Sequence, residues 1–97
     1  MPRENDENWL FIPDDVVFNA VYAALIEMDF QDAKFGKNRV MNGLLWNAIL
    51  SEEFGESSKE VLECDNTKLR AELVQVAAVA LNWIKALDRG EMLDWRK

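Results

Sequence analysis

The chain has no histidine, one cysteine (Cys64), two prolines and four glycines among 97 residues. Without histidine, catalysis by an imidazole or by a Cys-His pair is excluded, and a single cysteine excludes an internal disulfide and a thiolate zinc site. Any metal ligand must be an oxygen. Positive charge is also scarce: 11 Lys+Arg against 18 Asp+Glu leave a net charge of −7, which argues against duplex nucleic acid or an anionic membrane as the principal partner. No apolar run is long enough to span a bilayer, and Met1 to Asn8 are polar and acidic where a signal peptide would be basic and then apolar. A cytoplasmic protein with no membrane partner is expected. At this length residues 1–97 form a single domain, and a core shared with a second copy would be an advantage.

What is present is helical periodicity. Residues 1–8 are expected to fray, Trp9 to Ile12 form a short apolar anchor, and Pro13 opens a helix with Asp14 and Asp15 in its first turn. Val17, Phe18, Val21, Ala24, Leu25 and Met28 then recur at spacings of three and four, predicting an amphipathic helix to about Ala33, with Gly36 in its turn. A second helix is expected from about Val40 to Cys64, interrupted only by Gly55, which costs about 1 kcal/mol relative to Ala. Asp65 or Asn66 caps a third helix that runs to about Arg89 and stops at Gly90, leaving 91–97 as a short tail. With no alternating strand pattern, the expected fold is an all-α bundle of three main helices. The third is apolar around most of its circumference (Leu73, Val74, Val76, Leu81, Trp83, Ile84), which points to a homo-oligomer, a dimer or a tetramer.

Carboxylates stand inside these apolar segments. Glu53 and Glu56, at i and i+3, leave one helix face about a turn apart, and Glu72 offers a third carboxylate from the next helix. Trp46, Ile49, Leu50, Ser57 and Glu60 fall within about 60° of Glu53 on the helical wheel, so the acids continue an apolar face. Two carboxylates about 6 Å apart repel by about 3 kcal/mol at an effective dielectric near 20, a penalty a divalent cation removes. The set reads as a Mg²⁺ site between two facing helices, suited to a phosphate-bearing ligand. The alternative is a solvated acidic face, for which Glu72, Gln75, Asn82, Lys85 and Arg89 form a polar stripe that could simply meet water. Cys64, beside Asp65 at a helix end, reads as structural, and Met28, Met41 and Met92 read as packing residues.

At these positions the sequence resembles the all-α nucleotide pyrophosphohydrolases of the MazG type, especially their short phage-like members. The shared pattern is ExxE followed after a gap by ExxD; here Glu53-Phe54-Gly55-Glu56 supplies the first half and Glu72-Leu73-Val74-Gln75 the second. The run from Glu72 to Leu87 is similar to the last helix of the short members, and Gln31-Asp32-Ala33-Lys34-Phe35-Gly36 is similar to their QDxKWG segment. The resemblance implies Mg²⁺, with Mn²⁺ as a substitute, held by Glu53, Glu56, Glu72 and Gln75, and cleavage of a nucleoside triphosphate to monophosphate and pyrophosphate. Glu53 and Glu52 are then the catalytic carboxylates, with Glu52 orienting the attacking water. Lys34 would contact a phosphate, although Lys34, Lys37 and Arg39 also read as ordinary surface cations. Trp46 would stack on the base or belong to the core, and Asn82 would hydrogen-bond sugar or base or sit in the polar stripe. Gln75 departs from the pattern: its amide brings no charge where the family has Asp, which leaves a non-catalytic relative binding a nucleotide or a protein as the alternative.

Overall fold

The computed structural model describes residues 14–95, so the expectations for residues 1–8, the Trp9 to Ile12 anchor, the opening at Pro13 and the last two tail residues lie outside the described residues. Helix α1 spans Asp15–Phe35, α2 Gly43–Leu62 and α3 Asn66–Asp88, with no strand among the described residues beyond an isolated bridge between Met41 and Met92. No described helix is long and apolar enough to cross a membrane.

Each helix starts on a side-chain cap. Asp14, Asn42 and Asp65 each accept a hydrogen bond from a first-turn N–H, those of Val17 (2.9 Å), Leu45 (2.9 Å) and Lys68 (3.0 Å), satisfying donors that the helix itself leaves orphaned. Asp14 is thus the cap of α1 and only Asp15 lies in its first turn. α1 runs two residues past Ala33 because Gly36, at φ 98°, is the first residue free to leave the helix. α2 is shorter than its apolar run at both ends. At the start, the Met41 carbonyl is engaged by the Leu93 N–H at 3.1 Å and Asn42 takes the cap. At the end, Cys64 turns to φ 57° while the Asp65 N–H reaches back to the Glu60 carbonyl at 3.1 Å. α3 closes the same way, with Gly90 at φ 69° and the Glu91 N–H on the Ala86 carbonyl at 2.9 Å.

α3 is the central element. It packs against both α1 and α2, which do not pack against each other. Its small residues Ala78 and Ala86 allow close approach, and Val79 and Ala86 join Trp46 of α2 in a core flanked by Met41, Ile49, Leu50, Trp83 and Met92. The Trp46 and Trp83 rings lie parallel within 8°, centroids 6.3 Å apart. The tail folds back onto the start of α2, where a Cβ on Gly43 would run into the Trp95 ring, so any side chain there would displace that ring.

The expected apolar face of α1 is not absorbed by this packing. Only Ala24 and Gln31 of α1 are buried, while Phe18, Val21, Tyr22, Leu25, Ile26 and Phe30 stay exposed, because contact with one helix covers a narrower stripe than α1 offers. On α3, Leu73, Leu81, Ile84 and Leu87 also remain exposed.

Candidate functional site

The packed line of each helix carries a glutamate. On α2 it runs through Trp46, Ile49, Glu53, Ser57 and Glu60, of which Trp46, Ser57 and Glu60 are buried, as the helical wheel predicts. On α3 it runs through Glu72, Gln75, Val79, Asn82 and Ala86, and on α1 through Ala24, Glu27 and Gln31. The polar stripe of α3 is therefore not a solvated face. Asn82 is 2% exposed, Glu72, Gln75 and Lys85 are half-buried, and only Arg89 is exposed.

These lines bring acids from all three helices within electrostatic reach of Glu53. The Glu53 carboxyl is pushed above its ordinary 4.5, chiefly by burial, then by Glu72, Glu52, Glu56 and Glu27. Glu72 keeps a carboxylate oxygen buried with no hydrogen-bond partner. The orphaned oxygen and the unbalanced charge fit a cation, and an all-oxygen donor set suits Mg²⁺. Glu52 and Glu56 are exposed, and among the described residues no three acids are gathered closely enough to hold a metal ion as they stand. Glu27 belongs to neither acidic motif; its place three residues after Ala24 and four before Gln31 was the available signal.

Beside Glu53 lies a pocket of about 480 Å³, lined by Gln31 and Phe35 of α1, Arg39 and Met41 of the connection, Ile49, Glu52 and Glu53 of α2, and Val79 of α3. It occupies the gap that α1 and α2 leave over α3. Both expected catalytic carboxylates reach it; Glu56, Glu72 and Gln75 are not in its lining. The expected substrate contacts do not line this pocket. Trp46, 2% exposed and stacked on Trp83, has no ring face open to a base, so its role is in the core. Asn82 donates to Gln31 Oε1 at 3.2 Å and thus acts beneath the pocket. Lys34 is exposed, its ammonium 5.1 Å over the Phe35 ring. The aromatic side chain at the pocket is Phe35.

Arg39 is not an ordinary surface cation. It pairs with Asp32 at 3.9 Å, donates to the Gly36 carbonyl at 3.0 Å, and lies 5.7 Å over both Phe35 and Trp46. Lys85 meets the same Asp32 at 3.8 Å. Asp32, Arg39 and Lys85, with Trp46 and Asn82, close around a void of only about 10 Å³, the size of one water.

No protein-family model matches the chain, and neither a curated protein nor a solved structure matches it.

Proposed function

We propose that the chain is a Mg²⁺-dependent nucleotide pyrophosphohydrolase of the MazG-like kind, acting on a nucleoside triphosphate bound in the pocket beside Glu53. The observation that carries this reading is the acidic group itself: Glu53, its carboxyl pushed up first by burial and then by Glu72, Glu52, Glu56 and Glu27, at the wall of a 480 Å³ pocket, with a buried Glu72 oxygen lacking a partner. The resemblance of the two acidic motifs supports it. Glu53, Glu56 and Glu72 would hold the metal, with the Gln75 carbonyl as an uncharged fourth donor. Bound there, Mg²⁺ would offset phosphate charge and lower the pKa of a water. Glu52, exposed at the pocket wall, is free to accept a hydrogen bond from that water and orient it. Lys34, one turn from the pocket on α1, offers a cation to the phosphates.

The test is pyrophosphate release from a panel of triphosphates with Mg²⁺ or Mn²⁺. Turnover is expected, with Glu53→Gln lowering it at least about a hundredfold, the scale on which metal-site residues act. Turnover no greater than that of Glu53→Gln would refute hydrolysis.

The uncharged Gln75 and the open spacing of the acids favour a second reading, a non-catalytic relative that binds a nucleotide or a protein partner. Calorimetry showing nucleotide binding without turnover would select it. The exposed apolar face of α1, and an apolar groove of about 370 Å³ between α2 and α3 lined by Leu50, Phe54, Val76 and Ala80, support assembly as a homodimer or homotetramer. Light scattering at micromolar concentration should give more than one chain per particle, and a monomer would count against it.

A further inference from the structure

Gln31 combines two properties that rarely coincide: its side chain is among the most buried on α1, the residue being only 7% exposed, yet it lines the 480 Å³ pocket. Its amide is held from both sides. Oε1 accepts from Asn82 Nδ2 at 3.2 Å, and Nε2 donates to Glu27 Oε2 at 3.4 Å. The direction of this chain is fixed by its end member. A carboxylate only accepts, so Glu27 requires the NH₂ of Gln31 to face it, which turns the Gln31 carbonyl toward Asn82. Flipping the Gln31 amide would set two acceptors against each other at Glu27, whereas Asn82, an amide whose own Oδ1 is buried without a partner, can turn to follow, so the lock lies with Glu27.

A primary amide has two N–H donors and two carbonyl lone pairs, and the two bonds use one of each. One donor and one acceptor remain, in a fixed order, on a side chain that borders the pocket. Phe35 stands beside it in the same lining, an exposed ring that a flat heterocycle can meet where the exposed Lys34 ammonium now lies 5.1 Å over it, while the Arg39 guanidinium is already engaged over Phe35 and Trp46. Nucleobases with an amino group beside a ring acceptor (adenine, cytosine) and those with a keto group beside a ring N–H (guanine, uracil) present opposite donor and acceptor orders. For a base held in one orientation by its stacking and its sugar, one amide serves both classes only if it can flip.

We propose that Gln31 is the specificity-determining residue of the pocket, separating amino-bearing from keto-bearing bases, and that Glu27 is the positioning residue that stops its amide from flipping. This rests on the reading of the pocket as a nucleotide site.

The experiment is calorimetry of the full chain with non-hydrolysable ATP, CTP, GTP and UTP analogues in Mg²⁺, for wild type, Gln31→Leu and Glu27→Gln. The expected result is a difference of about tenfold or more in Kd between the two base classes for wild type, one hydrogen bond's worth. Gln31→Leu should reduce it to about threefold or less. Glu27→Gln, which can donate as well as accept, should let the amide flip and also narrow the ratio. A general weakening of the fold or of metal binding would shift all four nucleotides together, so the ratio separates positioning from mere stability. Should Gln31→Leu fail to fold, the conservative Glu27→Gln carries the test. A wild type that binds nucleotides without distinguishing the classes, or variants that keep the wild-type ratio, would overturn the proposal while leaving the nucleotide site standing; a wild type that binds none of the four would overturn both.

Discussion

Two acids on the buried side of this molecule, Asp32 and Glu53, live in opposite surroundings. Asp32 has Arg39 and Lys85 within 4 Å, and its neighbourhood is closed to a void of about 10 Å³. Glu53 has four carboxylates as its electrostatic neighbours, no ion pair among the described residues, and an open pocket of about 480 Å³ beside it. The first arrangement is complete and reads as structure. The second is incomplete, and incompleteness at a pocket is what a site for a cation and an anionic ligand requires.

The two ends separate most clearly when one aromatic is removed from each. Trp46 belongs to the closed end, so Trp46→Ala should cost about 3–5 kcal/mol in a denaturant titration, whereas Phe35→Ala, at an exposed ring, should stay within about 0.5 kcal/mol of wild type while weakening nucleotide binding. Equal stability costs would mean that the two ends are not different in kind. Next in size, Asp32→Ala leaves Arg39 and Lys85 facing each other and should destabilise by about 1–2 kcal/mol, reduced from the fully buried figure by their partial exposure. An unchanged melting temperature would show that these pairs contribute nothing.

A pH series probes the open end and a second unpaired acid. Glu60 is buried near the end of α2 with one oxygen unpartnered, and its carboxyl, like that of Glu53, is raised above 4.5, first by burial and then by nearby acids. A raised folded-state pKa means stability that is fully present below the ordinary carboxylate pKa and is lost as pH rises through the raised value. In metal-free buffer the melting temperature should therefore fall as pH is raised from about 4.5, and Glu53→Gln and Glu60→Gln should each flatten the fall. A slope unchanged in both variants would contradict the assignment. The smallest effect expected is local: Cys64 holds φ 57° where α3's equivalent turn has Gly90, so Cys64→Gly should stabilise by about 1 kcal/mol.

Much of the fold was legible because caps and periodicity are local. Asp65 before the last helix, Gly36 and Gly90 after their helices, and the packed line through Trp46, Glu53 and Glu60 follow from side-chain chemistry and a repeat of 3.6 residues. The ends of α2 were not legible, since they depend on the tail returning to Met41 and on Cys64 adopting a left-handed turn. The site was legible in part. Glu53 and Glu72 come into one electrostatic neighbourhood as their spacing predicts, and Glu52 reaches the pocket with Glu53. The stripe through Glu72, Asn82 and Lys85 read equally well as solvated, because a helical wheel gives the angle of a face and not its neighbour. The same limit hid Glu27 and left open whether Trp46 and Asn82 face a ligand or the protein; Trp46 is buried in the core and Asn82 bonds to Gln31 of α1.

On this reading the unbalanced acids around Glu53 bind a divalent cation. Melting curves of wild type, Glu53→Gln and Asp32→Asn, in Mg²⁺ and in monovalent salt of equal ionic strength, test it most directly. A rise in melting temperature specific to Mg²⁺, absent in Glu53→Gln and retained in Asp32→Asn, is the predicted result; no Mg²⁺-specific rise, or the same rise in Glu53→Gln, would contradict it.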